Sequence, residues 1–245
     1  MSRVLHSIKN VFTIWLGQMV SVLCTFAVRM VFVRYLSQDY LGLETLFSNV
    51  LSILALAELG VGSAIVYSLY EPLAKNDVES IKSLMRLFKR AYIAIGLAIA
   101  LMGCLLVPHI ELFINDAPDI PGLRVYFLFF VFNSAISYFF SYKGALITAD
   151  QKNYIVALIR YAFQILLSVL QIIALITTGS YLLFLSCMLL STLLQNIVIS
   201  VTANRMYPIL IEKNIQPINR DVLARIKKNV AGLVVHKASS VVNAP

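Results

Sequence analysis

The sequence predicts an all-α integral membrane protein, and three observations predict it. Only 13% of the 245 residues are charged while 60% are hydrophobic, and the mean hydropathy is +0.84. A soluble domain carries about 25% charged residues, enough to cover a wetted surface, and this chain lacks that cover. Six apolar stretches each reach the roughly 20 residues that a helix needs to cross a hydrocarbon core about 30 Å thick. The basic residues gather between alternate stretches, as expected where Lys and Arg orient membrane helices.

The first stretch, 11–36, exceeds the roughly 7–15 apolar residues of a signal peptide and runs into Arg34 without a small-residue cleavage pattern, so it reads as a retained span. The next five are expected at 43–67, 91–113, 123–147, 154–177 and 181–203. Residues 1–213 thus form a six-span unit, 214–229 an amphipathic cytoplasmic linker, and 230–245 the truncated start of a seventh span. Lys9-Asn10-Val11 before the first span is echoed by Lys228-Asn229-Val230 before the seventh, which hints at a second, parallel six-span unit.

Loop charge sets the expected orientation. With the N-terminus inside, the inner segments hold 15 Lys and Arg, among them Lys9, Lys82, Arg86 and Lys152, against Arg34 and Arg124 outside. The outer connections, 37–42, 114–122 and 178–180, leave no room for an extracytoplasmic domain. Within 76–92, Asn76 and Glu79 have capping-box spacing. Ile81, Leu84, Met85 and Phe88 then share one face, with Lys82, Arg86, Lys89 and Arg90 around the other. This segment is expected to lie as a surface helix in the headgroup plane, as an orientation anchor or as a gatherer of substrate.

The net charge of +8 is therefore assigned to membrane orientation and anionic lipid, and nucleic acid is not expected as a partner. Cys24, Cys104 and Cys187 are isolated in apolar segments and read as buried small hydrophobes, and the three histidines are scattered, so no metal site is expected. Walker A, HExxH and GxSxG patterns are absent, and no acidic pair sits at a membrane edge. The chain is read as a non-enzyme without a cofactor.

Ionisable groups inside spans are costly and become functional candidates by default. Here they are Arg29, Glu58 and Arg160, with Glu44 and Lys143 nearer the interfaces. Arg29 can either snorkel to the outer headgroups or face an aqueous cavity. Glu58 and Arg160 both fall in the cytoplasmic half and could face a shared cavity, or form a purely structural pair. Gln164 and Gln171 follow Arg160 on one helix stripe, and Asn133 adds a further in-span amide. Such amides suit a hydrated cavity and equally suit interhelical hydrogen bonds. The aromatic run 126–142 reads mainly as lipid-facing bulk.

The run VRMVFVRYLSQDYLGLETLFSNVLSILALAELGVGSAIVYSLYEPLAKNDVESIKSLMRLFKRAY resembles the N-terminal part of bacterial polysaccharide-biosynthesis flippases, as do SYKGALITADQKNY and KKNVAGLVVHKASSVVN. These are the Wzx-like members of the multidrug/oligosaccharidyl-lipid/polysaccharide (MOP) superfamily. The resemblance implies the six-helix N-terminal lobe of a two-lobe, MATE-like transporter. It implies movement of an undecaprenyl-pyrophosphate-linked oligosaccharide, an O-antigen, capsule or exopolysaccharide unit, from the inner to the outer leaflet of the bacterial cytoplasmic membrane by alternating access. Arg29 and Arg160 would then meet the anionic substrate, and Glu58 would be the candidate site for a coupling H+ or Na+. Membrane lipids and other glycan-assembly proteins are the implied partners. The alternative is a MATE-like cation-coupled multidrug antiporter, for which a more acidic cavity is expected.

Overall fold

The computed structural model describes residues 2–55, 61–113 and 120–212, and it is helical throughout, with no strand among the described residues. Eight α-helices follow in order: α1 Ser2–Tyr35, α2 Gln38–Ala55, α3 Val61–Lys75, α4 Val78–Leu106, α5 Leu123–Phe139, α6 Ser141–Ala149, α7 Asn153–Thr178 and α8 Tyr181–Met206. Short 3-10 turns follow α4 at Val107–Phe113 and α8 at Pro208–Leu210. Four stretches, Lys9–Tyr35, Val78–Glu111, Asn153–Thr178 and Tyr181–Met206, are long and apolar enough to cross a membrane, and the bent pair α5–α6 makes a fifth. By length and composition these are the helices of a multi-pass membrane protein.

The last two predicted spans agree with α7 and α8 to within a few residues, because the local chemistry marks their boundary. Gly179 takes a left-handed φ of 59° and returns its N–H to the Leu175 carbonyl, the usual glycine close of a helix. Ser180 then caps α8, its side chain accepting from the Leu183 N–H at 3.4 Å.

Two expectations are corrected. The predicted span 43–67 is not one of them: α2 and α3 lie at either side of 56–60, which fall outside the described residues, so whether they form one span does too. The segment 76–92 is not a separate surface helix but the first half of a continuous α4. No Gly or Pro interrupts it before Gly96, so the hydrogen-bond ladder runs on into the apolar half. Its apolar face is buried in protein: Ile81, Leu84, Met85 and Phe88 join Ile65 and Leu69 of α3 and Tyr142 and Leu146 of α6 in one cluster. Its cap is Asp77 rather than Asn76, which instead turns the chain at φ 53°. Asp77 accepts from the Ser80 N–H at 3.1 Å and from its hydroxyl at 2.6 Å. Those bonds from Ser80 hold the Asp77 carboxyl below its ordinary pKa.

The second correction concerns 123–147. It is two helices bent by 45° at Phe140. Ser137 donates to the Ser134 carbonyl at 2.6 Å, and Ser141 donates to the Ser137 carbonyl. Serine hydroxyls bonding back onto the preceding turn bend helices. The aromatic run here is mostly turned inward, with Phe127, Phe130, Tyr138 and Tyr142 buried and only Phe132 exposed among its aromatic residues.

α1 and α7 run side by side in parallel, with Asn10 against Tyr154 and Gly17 against Tyr161. The Asn10 side chain donates to the Gln151 carbonyl at 2.9 Å and accepts from the Tyr154 N–H at 2.7 Å. α5 packs between α4 and α8, and α4 meets it through glycines: a Cβ on Gly96 would stand 2.7 Å from the Phe139 ring, and one on Gly103 would stand 2.5 Å from Val131. Small residues let membrane helices approach this closely where apolar burial gives little drive. The far end of the bundle is closed by an aromatic cluster of Phe32, Tyr40, Tyr126, Tyr181 and Phe184, with ring centroids 4.8–6.1 Å apart.

Candidate substrate cavity

A cavity of about 110 Å³ opens between α1, α2 and α7. α1 contributes Thr25, Val28, Arg29 and Phe32, and α2 contributes Leu41 and Glu44. α7 contributes Gln164, Ser168 and Gln171. The parallel register of α1 and α7 produces this meeting. From the Asn10–Tyr154 contact, Arg29 and Gln171 lie at nearly the same height, about 25–29 Å further along their helices at a rise of 1.5 Å per residue.

Three sequence-predicted candidates therefore share one cavity: Arg29, Gln164 and Gln171. Arg29 is exposed and also lines the cavity with Glu44, and the two form no ion pair among the described residues. Gln171 is buried and donates to the Phe184 carbonyl at a long 3.5 Å, tying α7 to α8 as well as lining the cavity. Ser168 completes the stripe, its hydroxyl donating to the Gln164 carbonyl at 2.8 Å.

The other candidates lie elsewhere. Arg160 is exposed on α7 and does not line this cavity. It stands about 16 Å along the helix from Gln171 at the same rise per residue. Glu58 falls outside the described residues, so its pairing with Arg160 does too. Asn133 sits on α5 with its Oδ1 buried and without a hydrogen-bond partner among the described residues. Of the cysteines read as buried, Cys104 is exposed on α4, while Cys24 and Cys187 are partly buried.

Sequence reasoning placed Glu44 near an interface and passed over Ser168. Ser168 stands four residues after Gln164 and three before Gln171, a spacing that completes a polar stripe on one helical face. Glu44 stood out for its charge alone, and its place in this cavity depends on how α2 packs in the bundle.

The cavity offers a cation, a carboxylate, amides and hydroxyls inside an apolar bundle. Comparison with protein-family models, with curated proteins and with solved structures finds no match to this chain.

Proposed function

We propose that this chain is the N-terminal lobe of a transporter that flips a lipid-linked oligosaccharide across a bacterial cytoplasmic membrane. The observation that carries the reading is the cavity holding Arg29 beside Gln164 and Gln171 within otherwise apolar helices. An exposed arginine on a membrane helix is tolerated where it meets water or an anionic partner. A pyrophosphate-sugar headgroup needs such a route, because burying its charge without partners is prohibitive. The resemblance to Wzx-like flippases supplies the substrate class, undecaprenyl-pyrophosphate-linked glycan, and loop charge supplies the cytoplasmic N-terminus.

The test uses a host deleted for the full-length gene. Lipid-linked oligosaccharide should accumulate on the inner leaflet while surface glycan is lost. Wild type should restore export, and Arg29→Ala should lower it at least tenfold at equal membrane abundance. Normal glycan export in the deletion strain would sink the reading.

Glu44 in the same cavity favours a second reading, a cation-coupled antiporter of the MATE type. Under that reading the deletion strain keeps its surface glycan and becomes sensitive to cationic drugs, and Glu44→Gln fails to restore resistance.

A further inference from the structure

We propose that a second cavity, between the first half of α4, α6 and the C-terminal end of α8, binds the headgroup of an anionic phospholipid, with its phosphodiester on Arg86, Lys89, Arg90 and Lys143 and a headgroup hydroxyl on Asn204. The cavity measures about 520 Å³, within the roughly 300–1,000 Å³ typical of small-molecule sites.

Charge is the first argument. Five basic side chains line the cavity, and Glu212 is its one acidic lining residue. That carboxylate is already engaged with Lys82 at 2.5 Å, and Glu79 holds the same ammonium at 3.1 Å. Arg86, Lys89 and Arg90 form no ion pair among the described residues. Lys143 donates to the Ser200 hydroxyl at 2.8 Å, and Lys89 lies near enough to repel it. Four cations converging without a counter-charge form an anion site, and a guanidinium fork suits phosphate oxygens in particular.

Shape and polarity argue for a lipid rather than a soluble phosphate. The wall beside the cations is apolar, built from Met85, Ile93, Tyr142 and Ile209–Ile211. The cavity also sits at one end of the bundle, where α4 begins and α8 ends, at headgroup height for the spans that these helices form. Basic pockets between membrane helices at this depth bind acidic headgroups. Asn204 lines the cavity, and its buried Oδ1 has no partner among the described residues. That acceptor needs a donor. A glycerol hydroxyl provides one without adding positive charge to a site already crowded with it.

The site is separate from the Arg29 cavity and does not depend on the transport reading. The experiment is native mass spectrometry of the full chain in detergent, titrated with dioctanoyl phosphatidylglycerol, dioctanoyl phosphatidylcholine or glycerol phosphate. The expected result is retention of phosphatidylglycerol alone. Its affinity should fall about fivefold for each basic side chain removed, so about 25-fold in Arg86→Gln/Lys89→Gln. Arg86→Lys/Arg90→Lys, which keeps the charge, should retain most of the binding. Asn204→Ala should weaken the retention of phosphatidylglycerol without abolishing it. Arg124→Gln, on a different face of the protein, should bind as wild type does. Equal binding of phosphatidylcholine, equal binding of glycerol phosphate, or undiminished binding by Arg86→Gln/Lys89→Gln would each overturn the proposal.

Discussion

Gly17 faces the ring of Tyr161 so closely that any Cβ would overlap it, whereas Gly42 on α2 has open space where a Cβ would go. The two glycines look alike in sequence, and the fold gives them opposite roles. Gly17→Ala forces α1 away from α7 and should cost about 1–3 kcal/mol by overpacking. Gly42→Ala should be neutral or slightly stabilising, since alanine is favoured over glycine within a helix by up to about 1 kcal/mol. Thermal unfolding in detergent checks both, and Tyr161→Ala should recover part of the loss in Gly17→Ala. The tyrosine hydroxyl also donates to the Ile14 carbonyl at 3.3 Å, so the contact is anchored as well as close. Site residues follow the same logic. Arg29, Gln164 and Gln171 were legible because charge and amide are rare in apolar runs. Glu44's place in the same cavity was not, because it depends on how α2 packs in the bundle.

At the scale of elements, helices bounded by glycine or a hydroxyl cap could be read from the sequence, and those bounded by subtler chemistry could not. α7 and α8 were legible at Gly179 and Ser180. The unbroken α4 was not, because amphipathic and apolar halves join there without a local break. Nor was the 45° bend between α5 and α6, which rests on the hydroxyls of Ser137 and Ser141. Replacing both with alanine should straighten the pair. Spin labels at Phe132 and Thr148, one on each helix, should then move apart by about 2 Å in pulsed electron resonance. An unchanged distance would assign the bend to packing against α4 and α8 instead.

For the whole molecule, charge asymmetry predicts that the α6–α7 turn and the α4–α5 connection lie on opposite sides of the membrane. Lys152→Cys should react with an impermeant maleimide only after the cytoplasmic face is opened. Arg124→Cys, beside its ion pair with Glu111 at 3.1 Å, should react in intact cells. The background Cys24, Cys104 and Cys187 would be changed to alanine first. The all-helical class and the membrane setting were legible because composition alone decides where so apolar a chain can be stable. Whether 43–67 makes a crossing turns on 56–60, which lie outside the described residues. α2 carries Asp39, Glu44 and Asn49, and α3 ends in Glu71 and Lys75, so neither has the uniform apolar run that makes a span obvious.

The clasp between Asn10 and the start of α7 has a consequence for biogenesis. Its two partners are separated by 144 residues of chain. At about 5–20 residues per second, a ribosome takes on the order of ten seconds to deliver Tyr154 after Asn10 has emerged. For that interval α1, with Trp15, Met19 and Leu23 still facing outward in the finished fold, has no α7 to rest against. It must be held by lipid or by the insertion machinery. Weakening the clasp, as in Asn10→Ala, would then leave the insertion of α1 unchanged and lower the stability of the assembled α1–α7 pair, which loses both hydrogen bonds.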